Sequence, residues 1–283
     1  MRKKRKYIKR KHTKRRKFTL TRRGKVFFSA AAAFMLVCTF SVFYVVLGGY
    51  DGLGLRRAME RCDYNMENLS EKNGRLFYED ERYESLCGID VSYYQKEIDW
   101  EKVADDGVDF AMIRLGYRAV DSGRLHTDSR FRENLKEAKR AGLSVGVYFF
   151  SQAVTTEEAV EEAKYVIRRI RGSGIKYPVV FDMEPVSGSD RIEHLASIEK
   201  TEIADAFCQV IEKNGYTAMI YGNPSWLTGH LQMEYLTDYP LWIAHYTDAT
   251  DYPYEFKMWQ YTDRGRVKGI KGKVDLDILF VKK

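Results

Sequence analysis

From Cys87 to the C-terminus, eight short strand-like runs alternate with stretches of helical periodicity. The runs cover residues 87–92, 110–116, 144–150, 177–184, 217–223, 240–246, 256–262 and 274–280. Several, such as FAMIRLG and SVGVYFF, are almost continuously apolar, as strands covered on both faces must be. The helical stretches have readable ends. Thr155-x-x-Glu158 has the form of a capping box, and Ala159, Val160, Ala163, Val166, Ile167 and Ile170 then share one helix face. Asp128 is placed to cap a helix carrying Phe131, Leu135 and Ala138, and Gly215 to end one after Asn214. Past residue 223 the helical signals fade and strands follow one another closely. This pattern predicts an α/β chain folded as an irregular TIM-like βα barrel, with eight strands and a reduced helix set. The alternative is an open doubly wound sheet. The strand count and the lack of a Gly-rich phosphate loop argue against it.

The region before Cys87 has a different texture. Residues 26–47 form a run of 22 without a charge. At about 1.5 Å per residue this spans roughly 30 Å, the thickness of a bilayer's hydrocarbon core. A strongly basic block precedes it, which by the positive-inside rule stays cytoplasmic. The expected organisation is a basic cytoplasmic tail over 1–25, one transmembrane signal-anchor over 26–48, a juxtamembrane linker over 49–86 and an exported domain over 87–283. A cleaved signal peptide is the competing reading; its apolar core is normally shorter, and Gly48-Gly49-Tyr50 makes a poor cleavage site. Within the linker, 53–70 reads as a stalk helix with Leu55, Met59, Cys62 and Met66 on one stripe.

Charge is segregated in the same way. Residues 1–25 hold 15 of the 47 Lys and Arg and no acid, so the rest carries 32 basic against 40 acidic residues. The basic character belongs to the tail, where it serves topology and lipid headgroups, and no nucleic-acid partner is expected. Of the four cysteines, Cys38 lies in the apolar span and Cys208 on the apolar side of a helix. Cys62 and Cys87 both fall outside and are candidates for a disulfide. No His or Cys spacing suggests a metal, and no cofactor is expected.

Barrel active sites lie at the C-terminal ends of the strands. Here Asp90 closes the first run, Asp182 and Glu184 the fourth, and the last carries Asp275 and Asp277. Asp182 and Glu184 are two apart on a strand, so both point to one face, with Val180 continuing it inward. Carboxylates at the mouth of an apolar strand are costly to bury. Salt-bridged rim residues would be the bland account. The chemical account is a pair whose pKa values push apart, one holding a proton and the other a charge, which glycoside cleavage requires.

Five segments in order, GIDVSYYQ (88–95), DMEP (182–185), LWIAHY (241–246), MWQY (258–261) and GKVDLD (272–277), resemble glycoside hydrolase family 25, the lysozymes of the Chalaropsis type. The resemblance covers about residues 87–283 and implies the same irregular barrel. It implies hydrolysis, with retention, of the β-1,4 bond between N-acetylmuramic acid and N-acetylglucosamine in peptidoglycan. Glu184 takes the place of the catalytic acid and Asp182 of its partner, with Asp90 and Asp275 as supporting acids. Asp277 stands where Asn is common. Asp182 either attacks the anomeric carbon or steers the substrate's own 2-acetamido group, and the D-x-E layout favours the second.

Sugar contacts are expected from strand-end aromatics and an amide: Tyr117, Tyr148, Tyr221, Trp242, Tyr246, Trp259 and Gln260. His245 reads as structural. The expected partners are peptidoglycan glycan strands and, through 26–48, the bacterial cell membrane, with a monomeric catalytic domain outside the cell. An inactive wall-binding domain and a chitinase-like glycosidase are the alternatives.

Overall fold

The computed structural model describes residues 50–189 and 191–283. The expected tail and membrane anchor lie outside the described residues. Among the described residues, no helix is long and apolar enough to cross a membrane.

Eight strands close into a barrel: β3 (Tyr83–Val91), β4 (Phe110–Arg118), β6 (Ser144–Ser151), β7 (Val179–Met183), β8 (Ala218–Gly222), β9 (Leu241–Ala244), β10 (Met258–Gly265) and β11 (Val274–Lys282). The ring order is β3-β11-β10-β9-β8-β7-β6-β4, and pairing of β4 with β3 completes it. A three-residue strand, β5 (Leu125–Thr127), is added antiparallel to β4. Every barrel pairing is parallel except those of β11, which runs antiparallel to both β10 and β3. The expected irregular TIM-like barrel of eight strands and few helices is thus formed, with its last strand reversed. A parallel return needs a crossover of a dozen or more residues. Only 266–273 separate β10 from β11, so β11 comes back as a hairpin.

The helices are α1 (Trp100–Asp105), α2 (Phe131–Arg140), α3 (Thr156–Ile170), α4 (Ser197–Lys213) and the short α5 (Pro224–Gly229). Thr155 caps α3 by accepting from Glu158 N–H, but the expected capping box forms only in part. The Glu158 carboxylate instead accepts from Val154 N–H and pairs with Arg191. Asp128 does not cap α2; Arg130 occupies that position and makes no side-chain cap bond. The Asp128 carboxylate is drawn away by Arg114 and by the N–H groups of Tyr93 and Arg130. Helix α4 ends at Asn214 before Gly215, whose φ of +81° suits glycine.

Two apolar layers result. The larger lies between the barrel wall and the helices. The smaller fills the barrel with Phe110, Met112, Val180, Met219, Trp242 and Met258. Room for the large rings and thioethers comes from glycines: a Cβ on Gly88 would meet the Phe110 ring at 2.1 Å, and one on Gly146 the Met112 Sδ at 2.6 Å.

The helix expected over 53–70 does not form. Met59, Cys62 and Met66 pack against the core without a helix, and Leu55 is 83% exposed. This stretch is irregular up to a single 3-10 turn at Met66–Asn68, and its backbone bonds to barrel loops: Arg57 N–H to Glu234 C=O at 2.7 Å and Cys62 N–H to Pro253 C=O at 3.1 Å. Tyr64 is buried, its ring stacked on Phe280 at 4.1 Å and its hydroxyl donating to Phe256 C=O. A hairpin follows, β1 (Leu69–Lys72) and β2 (Arg75–Tyr78). Cys62, Cys87 and Cys208 are free thiols, so the candidate disulfide is not made. Burial in the barrel wall lifts the Cys87 thiol to about 11.

Candidate active site

The mouth of the barrel is lined with acids. Asp90 is the penultimate residue of β3, Asp182 that of β7, and Glu184 stands one residue past β7. Because β11 is reversed, its first residues reach the same rim, and Asp275 is the cross-strand partner of Asp90. A cavity of ≈ 160 Å³ opens there, lined by Asp90, Tyr148, Asp182, Glu184, Tyr221, Trp242, Tyr246, Gln260 and Asp275.

Gln260 joins three of these groups. Its Oε1 accepts from the hydroxyls of Tyr221 and Tyr246, each at 2.9 Å, and its Nε2 donates to Asp90 Oδ2 at 2.6 Å. The Trp242 indole forms the floor, met edge-on by Tyr221 at 4.8 Å and Tyr148 at 6.1 Å. Its N–H turns down to Asp277 Oδ1 at 2.9 Å. Asp277 is fully buried one layer below the cavity.

Electrostatics follow from this crowding. Asp182 and Glu184 stand two residues apart at the end of β7, line one cavity and perturb each other's titration. Burial lifts both above the usual carboxyl range, and for Asp182 the Glu184 charge adds to it. Interacting acids of this kind titrate as a pair, one losing its proton before the other. Burial, then the charges of Asp275 and Asp277, raises Asp90. Burial also pushes Asp275 up to about 6 and holds Asp277 well above the normal range. The Arg114 guanidinium opposes the rise at Asp182. Asp182 Oδ1 is buried and has no hydrogen-bond partner.

Glu184 is also held through its backbone. Gln152 Nε2 donates to the Glu184 carbonyl at 2.8 Å. Arg191 Nε donates to the Gln152 carbonyl at 2.7 Å, and its Nη2 reaches both Glu158 carboxylate oxygens at 2.9 Å. The loop after β7 is thereby clasped to the start of α3.

Every residue expected from the sequence to act on or hold the sugar lines this cavity except Trp259 and Tyr117. Trp259 faces the other way, fully buried among the outer core, with its N–H donating to His245 C=O at 2.7 Å. It is adjacent to Gln260 on one strand, and neighbours on a strand point to opposite faces. Tyr117 sits on the rim instead, stacked on His126 at 5.2 Å, after a bulge between Arg114 and Gly116 shifts the register of β4. His245 bonds to Thr250 at 2.9 Å, outside the cavity.

Sequence reading missed the rim beside Tyr117. Arg114 Nε donates to Asp128 at 2.9 Å, and the rings of Tyr93, Tyr94 and Tyr117 surround its guanidinium at 5.1, 5.3 and 5.6 Å. The available signal was a charged residue inside the apolar run FAMIRLG, at the inward period of Phe110 and Met112.

The sequence pattern of the glycosyl hydrolases family 25 matches residues 89–270. Lysozyme M1 of Streptomyces globisporus is 29% identical over 199 residues, covering 66% of this chain and 65% of that protein. The uncharacterized protein YegX of Escherichia coli K12 is 30% identical over 201 residues, 69% of each chain. Among solved structures, the modular autolysin LytC from Streptococcus pneumoniae, in complex with a synthetic peptidoglycan ligand, superposes with a TM-score of 0.63 at 26% identity. That match covers 76% of this chain and 52% of LytC, so the chain spans about half the length of that autolysin.

Proposed function

This chain belongs to glycosyl hydrolase family 25, and from that membership we propose that it is a muramidase, cutting the β-1,4 bond between N-acetylmuramic acid and N-acetylglucosamine in peptidoglycan. The observation that carries the reading is the Asp182–Glu184 carboxyl pair at the barrel mouth, which lines one cavity with Asp90 and Asp275 and which burial lifts above the usual carboxyl range. Similarity to lysozyme M1 and to an autolysin solved with a peptidoglycan ligand supports the substrate.

In this scheme Glu184 gives its proton to the glycosidic oxygen as the bond to the anomeric carbon breaks. The acetamido carbonyl oxygen of the muramic acid ring attacks that carbon and forms a cyclic oxazolinium. Asp182, with an unpaired buried oxygen, accepts the acetamide N–H and balances its charge. Glu184 then takes a proton from water, which opens the ring from the face the leaving group left. Configuration is retained. Direct attack by Asp182 would retain configuration as well. Asp90 and Asp275 support the site, Asp90 by fixing Gln260 and through it two tyrosine hydroxyls.

We also place the protein at the bacterial cell membrane, with 26–48 as a single-pass anchor, the N-terminus cytoplasmic and a monomeric catalytic domain outside. The uncharged run of 22 residues behind a basic block supports this.

Digestion of purified cell wall tests the proposal. The wild-type protein should release fragments with N-acetylmuramic acid at the reducing end, and Glu184→Gln should not. Reducing-end N-acetylglucosamine would overturn the bond assignment. Membrane fractionation tests the anchor: protein found free in the medium would overturn it.

A further inference from the structure

The family match begins at residue 89, yet the fold begins earlier. The β1–β2 hairpin lies wholly in that earlier part. Its turn is Asn73-Gly74, both at positive φ (57° and 74°), the geometry of a tight two-residue hairpin turn. The hairpin is fixed to the barrel at several points. Leu76 N–H donates to Tyr261 Oη at 3.3 Å, and Tyr78 N–H to Ser85 Oγ at 2.8 Å. The Arg75 guanidinium pairs with Asp106 at 2.5 Å, nearly out of solvent.

Between this hairpin and the ends of β9 and β10 lies a second cavity of ≈ 480 Å³, mainly polar, whose walls include Glu71, Leu76, Tyr246, Asp248, Thr262 and Arg264. Tyr246 lines this groove and the catalytic cavity alike. It is 55% exposed with its hydroxyl tied to Gln260, which leaves ring surface open to a ligand. The catalytic cavity, at ≈ 160 Å³, is smaller than the roughly 300–1,000 Å³ of an ordinary small-ligand site. A polymer cut there must continue past it. Around the barrel, β9 is four places from β4 in the eight-strand ring, so the groove lies across the mouth from the Arg114 and tyrosine rim.

We propose that the groove walled by the β1–β2 hairpin is an additional saccharide subsite, which holds the glycan strand beyond the bond that is cut. This rests on the muramidase reading. The ligand is a pyranose ring. Its hydroxyls donate to the carboxylates of Glu71 and Asp248 and accept from Arg264, and its apolar face packs on Tyr246. The hairpin is therefore a chain-length selector beside the catalytic cavity.

Calorimetry with the full-length Glu184→Gln protein and peptide-free peptidoglycan oligosaccharides tests this. An octasaccharide should bind about tenfold tighter than a tetrasaccharide, a difference of about 1.4 kcal/mol. The Glu71→Ala/Asp248→Ala double variant should reduce that ratio to near one. Thr262→Trp, which fills the groove from another strand, should do the same and guards against misfolding of the first. Equal affinity for the two lengths, or a length advantage that survives both variants, overturns the subsite. So does an advantage seen only when stem peptides are attached. The muramidase reading fails separately, if wild-type protein releases no reducing-end N-acetylmuramic acid.

Discussion

The indole N–H of Trp242 donates to Asp277 Oδ1 at 2.9 Å, one layer beneath the acids of the cavity, while Asp277 Oδ2 has no partner. Burial, then the charge of Asp275, keeps this carboxyl protonated well above its usual range. An unfolded Asp ionises near about 3.9. The folded form binds the extra proton, so the group costs nothing below that pH. Its cost then grows by about 1.4 kcal/mol per pH unit until the folded pKa is passed. Asp277→Asn, a neutral isostere, should therefore raise the melting temperature at pH 7 and leave it almost unchanged at pH 4. Equal effects at both pH values would show that Asp277 is not held protonated.

The Asp182–Glu184 pair gives a second expectation. Glu184→Gln should lower kcat by about 10²–10⁴-fold, the usual worth of a general acid. It also removes a charge that helps raise Asp182, so the Asp182 pKa should fall, though burial keeps it elevated. Carboxyl titration by NMR reads that shift directly.

Substrate assistance requires the acetyl group. Glycan de-N-acetylated at muramic acid should resist the wild-type enzyme even where it still binds. Asp182→Asn should reduce kcat on acetylated glycan with little change in KM. Undiminished cleavage of the de-N-acetylated strand would instead make Asp182 the nucleophile.

Gln260→Leu would leave the buried Tyr221 hydroxyl without an acceptor and Asp90 without a donor. The expected loss is about 1–3 kcal/mol in denaturant unfolding. Asp90 should titrate higher still, because the Gln260 bond is what lowers it.

Tyr64 stacks on Phe280 and meets Tyr78, Tyr83 and Phe256 edge-on at 5.8, 5.0 and 5.2 Å. Tyr64→Ala should cost about 3–5 kcal/mol, as large aromatic deletions in cores do. A protein that starts at residue 87 should show the same loss or more in thermal melts.

How far the sequence was readable depends on the kind of physics involved. Strand period and the strand-end rule were enough to bring Asp90, Asp182, Glu184 and Asp275 to one mouth, because both are local consequences of backbone geometry. The same period should have excluded Trp259 once Gln260 was chosen. Tyr117 failed for a reason the sequence hides: a bulge in β4 shifts the strand's register. The 53–70 stretch failed because tertiary contacts overrode helical spacing, with its N–H groups bonding to barrel loops. The Gln260 junction joins side chains from separate strands whose meeting depends on barrel closure, and closure is not written in any one segment.

The irregular segment before the hairpin runs along the loops that lead into β9 and β10, at the opposite end of the barrel from the mouth. Asp51 bonds to Lys213 at 2.6 Å, Arg57 to Asp238 at 2.8 Å, and Glu255 N–H to Glu60 C=O at 3.0 Å. A mechanical load entering the domain at residue 50 would meet these attachments in series before it reached a barrel strand. Tension would peel the strap first, and the acids at the far rim would keep their spacing while it did.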